Sequence, residues 1–166
     1  MQYCLIYEDK AGDCKIIYPE GDLWKVLTDE EKAIQHLRNL AIPDCVEFFA
    51  VKPDLVLKDE TFRSAWKKGT IEEPIKVDFD KALEIHRHRI QEASEKKITQ
   101  LSKELEIALE NENTPQAVAI RRTIKFLRTF HNLNLTHCKT VEDIKYAIPK
   151  ELHDVWSFYA PTKGVS

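Results

Sequence analysis

The longest regular alternation of apolar and polar positions lies between residues 78 and 133, DFDKALEIHRHRIQEASEKKITQLSKELEIALENENTPQAVAIRRTIKFLRTFHNL. No glycine interrupts it, and Pro115 is its single proline. Ile98, Leu101, Leu105 and Ala108 recur in steps of three and four, which lines one face of a helix. Asp78 is placed to cap that helix with a side-chain oxygen. Asn111-Glu112-Asn113 breaks the pattern, and Thr114-Pro115 restarts it as an N-cap followed by proline at the first helical position. Ala117, Ile120, Ile124 and Leu127 form the second stripe. Two helices joined by so short a link fold back as an antiparallel hairpin. The first helix, over residues 79–110, is roughly 48 Å long, and the second, over 115–131, about 25 Å. The second therefore covers only the half of the first from Ala93 to Glu110. Ala82, Leu83, Ile85 and Ile90 need another cover. The C-terminal groups Ile144, Ile148, Leu152, Val155 and Trp156 are the favoured candidates, with the N-terminal sheet beside them. A second copy of the chain is the alternative, so the expected state is a monomer or a homodimer.

Ahead of the hairpin the pattern changes to short apolar runs. Residues 3–7 and 15–18 read as strands around a polar turn that holds Gly12. Thr28 and Glu31 have capping-box spacing, which predicts a helix over 29–40 with Ile34 and Leu37 on its core face. Residues 45–51, CVEFFAV, form the strongest strand pattern, and Pro53 interrupts it before Leu55-Val56-Leu57. Residues 59–66, DETFRSAW, are expected as a helical turn or two. In that turn Phe62 and Trp66 share a face and dock on the sheet, while Arg63 points the other way, towards an acid on the long helix. Gly69 ends the turn, and Pro74 makes residues 71–77 extended. After the hairpin, 134–138 is irregular, Thr140 caps a short helix over 141–147 with Asp143 in its first turn, and Pro149 ends it and opens another. The final residues, PTKGVS, are expected to fray.

These elements predict an α+β fold: a small N-terminal antiparallel sheet with one helix, a long antiparallel helical hairpin, and short C-terminal helices. The expected divisions are an α+β domain at 1–77, the hairpin at 78–133, and C-terminal helices packing on it at 134–166. A chain of 166 residues supports such a core without disulfide or metal staples.

Composition narrows the class of function. Twenty-five basic against 28 acidic side chains give a net charge of −3, which argues against duplex nucleic acid as the main partner. The four cysteines, Cys4, Cys14, Cys45 and Cys138, form no CxxC pair and read as reduced structural thiols. No run approaches the ~18 apolar residues of a membrane span, and the opening MQYCLIYEDK lacks the pattern of a secretory signal. Both features point to a reducing cytoplasm.

Candidate chemistry is sparse. His86 and His88 suggest metal, but helix neighbours two apart point about 200° away from each other. His86 is expected to face the hairpin seam and His88 water. His131, His137 and Cys138 offer a histidine beside a thiol with no third group to orient a base. Arg121, Arg122, Lys125 and Arg128 form a basic band, with Lys96, Lys97 and Lys103 on the first helix. Ion pairing with Glu95, Glu104, Glu106 and Glu110 across the hairpin is expected in preference to an RNA or phosphate patch. Trp24, Phe48, Phe49, Phe62 and Trp66 read as core. No catalytic, cofactor or metal site is assigned.

Three blocks in order carry a resemblance. The first is Asp-x-Thr-Phe-Arg-x-Ala-Trp, here Asp59, Thr61, Phe62, Arg63, Ala65 and Trp66. The second is a helix opening with Ile85, His86, Arg87, Arg89 and Ile90. The third is a short helix with Thr140, Glu142, Asp143, Ile144 and Lys145, ending at Pro149. Over residues 41–149 the chain resembles a family of small uncharacterised proteins of tailed bacteriophages and prophages, encoded among or beside tail genes. Members have a shorter N-terminal part and a proline-containing link after the hairpin, where this chain has Asn132-Leu133-Asn134-Leu135. The resemblance implies a non-enzymatic accessory protein that works through protein contacts in tail or tail-fibre assembly. Its place would be the cytoplasm of the bacterial host or the virion. The alternatives are an inhibitor that occupies a host defence protein and, third, a metal- or histidine-dependent enzyme using His86, His131 or His153.

Overall fold

The computed structural model describes residues 3–19, 30–43 and 46–158. They fall into two compact units, Met1–Asp78 and Phe79–Ser166. The expected cap Thr28, together with Asp29, Trp24, Cys45 and the C-terminal PTKGVS, lies outside the described residues.

The first unit is built on β1 (Cys4–Glu8), which pairs antiparallel with β2 (Cys14–Ile17) on one side and with β3 (Phe48–Val51) on the other. The β1–β2 turn is held by Asp9, whose Oδ1 accepts from the amides of Ala11 and Asp13 at 2.9 and 3.0 Å. Gly12 takes the left-handed φ of +81° that this turn needs. As the central strand, β1 is covered on both faces, which explains its continuous apolar run. Leu5 packs with Leu37 and Ile42, on and just after α1 (Glu30–Ala41). Cys4 and Ile6 point the other way, into a cluster with Val51, Val56, Trp66 and Ile75.

That second face is covered by a hairpin absent from the sequence reading. Residues 59–66 do not form a helical turn carrying Phe62 and Trp66 on one face. A 3-10 turn spans only Arg63–Ala65, and Trp66 opens β4 (Trp66–Lys68), which pairs antiparallel with β5 (Ile75–Val77). Strand pairing decides the backbone here: Trp66 aligns with Val77 and Lys68 with Ile75. Phe62 and Trp66 are both 3% exposed, so each is buried as expected, though from different elements. The extended stretch is likewise shorter than 71–77, because Ile71 sits exposed in the hairpin tip. Gly69 is required there, since a methyl group on it would lie 2.1 Å from the Glu73 carbonyl oxygen.

Two further expectations in this unit are corrected. Strand β3 starts at Phe48, so Val46 and Glu47 lie ahead of it rather than in it, and the Val46 amide donates to the Pro43 carbonyl. Beyond it, Pro53–Leu55 is a 3-10 turn started by the proline rather than a resumed strand, and Val56 alone is buried.

The second unit starts with α2 (Phe79–Glu110), 32 residues long, and α3 (Thr114–Leu127) packs antiparallel along its C-terminal half. The cap of α3 is Asn113 rather than Thr114, with its Oδ1 accepting from the Gln116 amide at 3.3 Å. Glu112, at φ +55°, makes the reversal that places Asn113 there. The helix ends at Leu127 and continues as a 3-10 turn, Arg128–Asn132. Thr140 and Asp143 cap α4 (Val141–Tyr146) reciprocally, and after Pro149 the chain makes only a 3-10 turn, Lys150–Leu152, not another helix. Both of these pieces pack on α2. The buried groups Leu135, Cys138, Ile144, Leu152 and Val155 mark this C-terminal cover.

Two outcomes test the packing of the first unit. Trp66→Ala should lower stability by about 3–5 kcal/mol, the usual range for a deleted core aromatic. Trp66→Phe should lose much less, because the buried indole N–H finds no acceptor among the described residues. Thermal melts of the two variants check the pair, and equal losses would contradict it. Gly69→Ala should destabilise by at least about 1 kcal/mol, since the added carbon meets backbone rather than a movable side chain. A denaturant midpoint at or above that of the parent would contradict it.

Candidate functional site

The residues of the first sequence block serve the fold of the first unit. Asp59 Oδ1 accepts from the Thr61 amide at 2.9 Å and from its hydroxyl, closing an Asx turn ahead of the buried Phe62. Arg63, expected to pair with an acid on the long helix, pairs within its own unit. Its guanidinium pairs with Glu60 at 3.0 Å and stands 5.6 Å over the Trp66 ring, so it is on the same side as Trp66, not opposite. Asp78, expected as a helix cap, pairs its carboxylate with Lys67 and donates its amide to the Ala65 carbonyl at 2.8 Å.

The second block builds the seam between α2 and the C-terminal segment. His86 is completely buried, and its Nε2 donates to the Ala147 carbonyl at 3.1 Å. It therefore faces the C-terminal cover rather than the α2–α3 seam. Its ring stands 5.5 Å from that of Trp156, Trp156 stands 5.3 Å from Phe158, and Arg89 lies 5.5 Å over Phe158. About two turns beyond Arg89, Lys97 pairs with Asp154. Burial pushes the His86 imidazole below its ordinary range; the Ala147 hydrogen bond opposes this and the Arg89 charge adds to it. His88 is exposed and lies 3.4 Å from Glu92.

The remaining histidines and thiols do not converge. His131, His137 and His153 are exposed, and Cys138 is buried. Burial, then the Asp143 charge, pushes the Cys138 thiol up, the opposite of what an activated nucleophile requires. Burial likewise raises the thiols of Cys4 and Cys14, and all three are free. An open depression of about 400 Å³ is lined by His137, Glu142, Asp143, Tyr146 and Ala147. Among the described residues no group of three or more histidine, cysteine or acidic side chains gathers to hold a metal. No helix among them is long and apolar enough to cross a membrane.

The largest departure from expectation is on the hairpin. Arg121, Arg122, Lys125 and Arg128 are all exposed on α3, and among the described residues no ion pair links them to α2. The core stripe Ala117, Ile120, Ile124 and Leu127 turns towards α2, while the basic side chains occupy the flank and back of the helix. Along the hairpin, Ile107 and Phe126 on one side are 56% and 48% exposed, and Leu109 and Val118 on the other are 49% and 40% exposed. The sequence pattern held a signal for this surface: Val118 and Phe126 are apolar but fall outside the core stripe. Comparison with protein-family models, with curated proteins and with solved structures finds no match to this chain.

The buried imidazole has a pH consequence. A base whose folded pKa is depressed stays neutral inside while the unfolded chain takes up a proton, so its contribution is complete above the unfolded value and fades below it. Stability should therefore fall as pH drops from about 7 through the ordinary histidine value of about 6.5. His86→Gln, which keeps an N–H donor for Ala147, should flatten that fall. Urea titrations at about pH 7.5 and 5.5 check it; an equal pH slope in both proteins would contradict it.

Proposed function

We propose that the chain is a non-enzymatic accessory protein of a tailed bacteriophage or prophage that works through protein contacts in tail or tail-fibre assembly. The observation that carries this reading is the pair Ile107 and Phe126, which precede the core positions Ala108 and Leu127, share one side of the hairpin and stay about half exposed beside charged side chains. Single exposed apolar residues are ordinary, but two large ones on the same side of a hairpin offer anchors to a protein partner. The ordered sequence blocks supply the viral setting, and their side chains build packing: Phe62 and Trp66 in one core, His86 in the other. The protein acts in the cytoplasm of the bacterial host or in the virion.

The test is capture of the tagged chain from cells producing particles, with mass spectrometry of the eluate, the particles and the assembly intermediates. Tail or tail-fibre proteins are the expected catch. The doubly changed Ile107→Lys/Phe126→Lys chain should lose at least about nine tenths of that catch while keeping its helical circular dichroism. A host nuclease as the main catch, or absence of the chain from both particles and intermediates, would overturn the assembly role.

A further inference from the structure

On α3, Arg121, Lys125 and Arg128 succeed one another at intervals of four and three, so they run down a single flank. On α2, Glu95 and Glu106 lie about three helical turns apart and therefore on one line, with Glu110 one turn further. All six side chains are exposed. In an antiparallel pair, residues just C-terminal to the core stripe on each helix share one side of the hairpin. Arg121 follows Ile120 and Arg128 follows Leu127; Glu95 follows Ser94 and Glu106 follows Leu105 in the same way. One side of the hairpin thus carries an acidic column on α2 and a basic column on α3, and no ion pair joins the two within the chain among the described residues.

This division is complementary to itself. Turned by a two-fold axis that runs parallel to the helices in the contact plane, a second copy sets its acidic column against the basic column of the first and its basic column against the acidic one. Leu109 and Val118, 49% and 40% exposed, lie beside the two columns and gain cover in the same contact. We infer that this face of the hairpin is the contact surface of a two-fold homodimer whose occupant is the identical face of a second copy. The C-terminal segment, seated against His86, Arg89 and Lys97 on the opposite flank of α2, leaves the face open. A patch two helices wide and roughly 27 Å long supplies about 500 Å² per copy, the lower end for a specific interface. The dimer is accordingly weak and salt-dependent, because exposed ion pairs carry its specificity. The inference is independent of the tail-assembly reading.

Light scattering and sedimentation across a concentration series test it with the full chain at about 50 and 500 mM salt. The mass should rise from 19.4 kDa towards twice that value at low salt and fall back at high salt. Arg121→Glu/Lys125→Glu/Arg128→Glu and Glu95→Lys/Glu106→Lys/Glu110→Lys should each raise the dissociation constant at least about tenfold. An equimolar mixture of the two variants, complementary once more, should associate at low salt. Circular dichroism verifies that each variant is helical, and should one unfold, Lys125→Glu alone reads the same shift. A parent chain that stays monomeric at every salt and concentration overturns the inference. So does a dimer insensitive to both reversals, a mixture that fails to associate, or nucleic acid retained on the basic column in place of a second copy.

Discussion

A helix of 32 residues beside one of 14 cannot be covered by its partner alone, and that mismatch organises the whole second unit. The stripe of α3 reaches Leu101, Leu105 and Ala108, and what lies N-terminal on α2 is left to other groups. The chain supplies them by returning through Leu135 and Cys138 to α4 and the turn at Lys150–Leu152. Small residues on α2, Ala82, Ala93 and Ser94, are buried as well. Ser94 satisfies its buried hydroxyl on the Ile90 carbonyl at 2.8 Å, so it adds no unpaired polar group. His86 is the polar exception inside the seam, and its donation to Ala147 fixes where the end of α4 sits.

The first unit solves a different covering problem with short elements. A three-stranded sheet whose middle strand is apolar at successive positions needs a layer on each face. The helix covers Leu5, and Trp66 from the β4–β5 hairpin covers Cys4 and Ile6. Lys68 reinforces the second layer: its ammonium lies 4.9 Å over Phe49 and bonds to Glu47. Phe62, Trp66, His86 and Ile144 in the three ordered sequence blocks therefore hold layers together, while the exposed charge and apolar groups of the hairpin lie outside those blocks.

What the chain reveals before folding follows the length of its patterns. The α+β order, the bounds of α2, the stripe of α3 and the Thr140–Asp143 cap are all legible, because each rests on several residues in a helical repeat. The β4–β5 hairpin is not, since three-residue strands leave one alternation each, and Phe62 and Trp66 also fit helical spacing. Asn113 was hidden behind Thr114-Pro115, whose own signature is that of a helix start. It took the positive φ of Glu112 to shift the cap by one residue. The expected ion pairing between α2 and α3 is absent among the described residues, because the apolar stripes take the seam and leave both sets of charged side chains exposed outside it.

The dependence of α2 on its C-terminal cover is open to amide hydrogen exchange on the full chain and on a chain ending at Lys139. Loss of the cover should leave residues 101–108 and 117–127 protected by their shared seam. Over residues 82–97 the truncated chain should exchange faster by at least about a hundredfold, as local opening becomes cheaper than global unfolding. Unchanged protection over 82–97 would contradict the role given to the C-terminal segment.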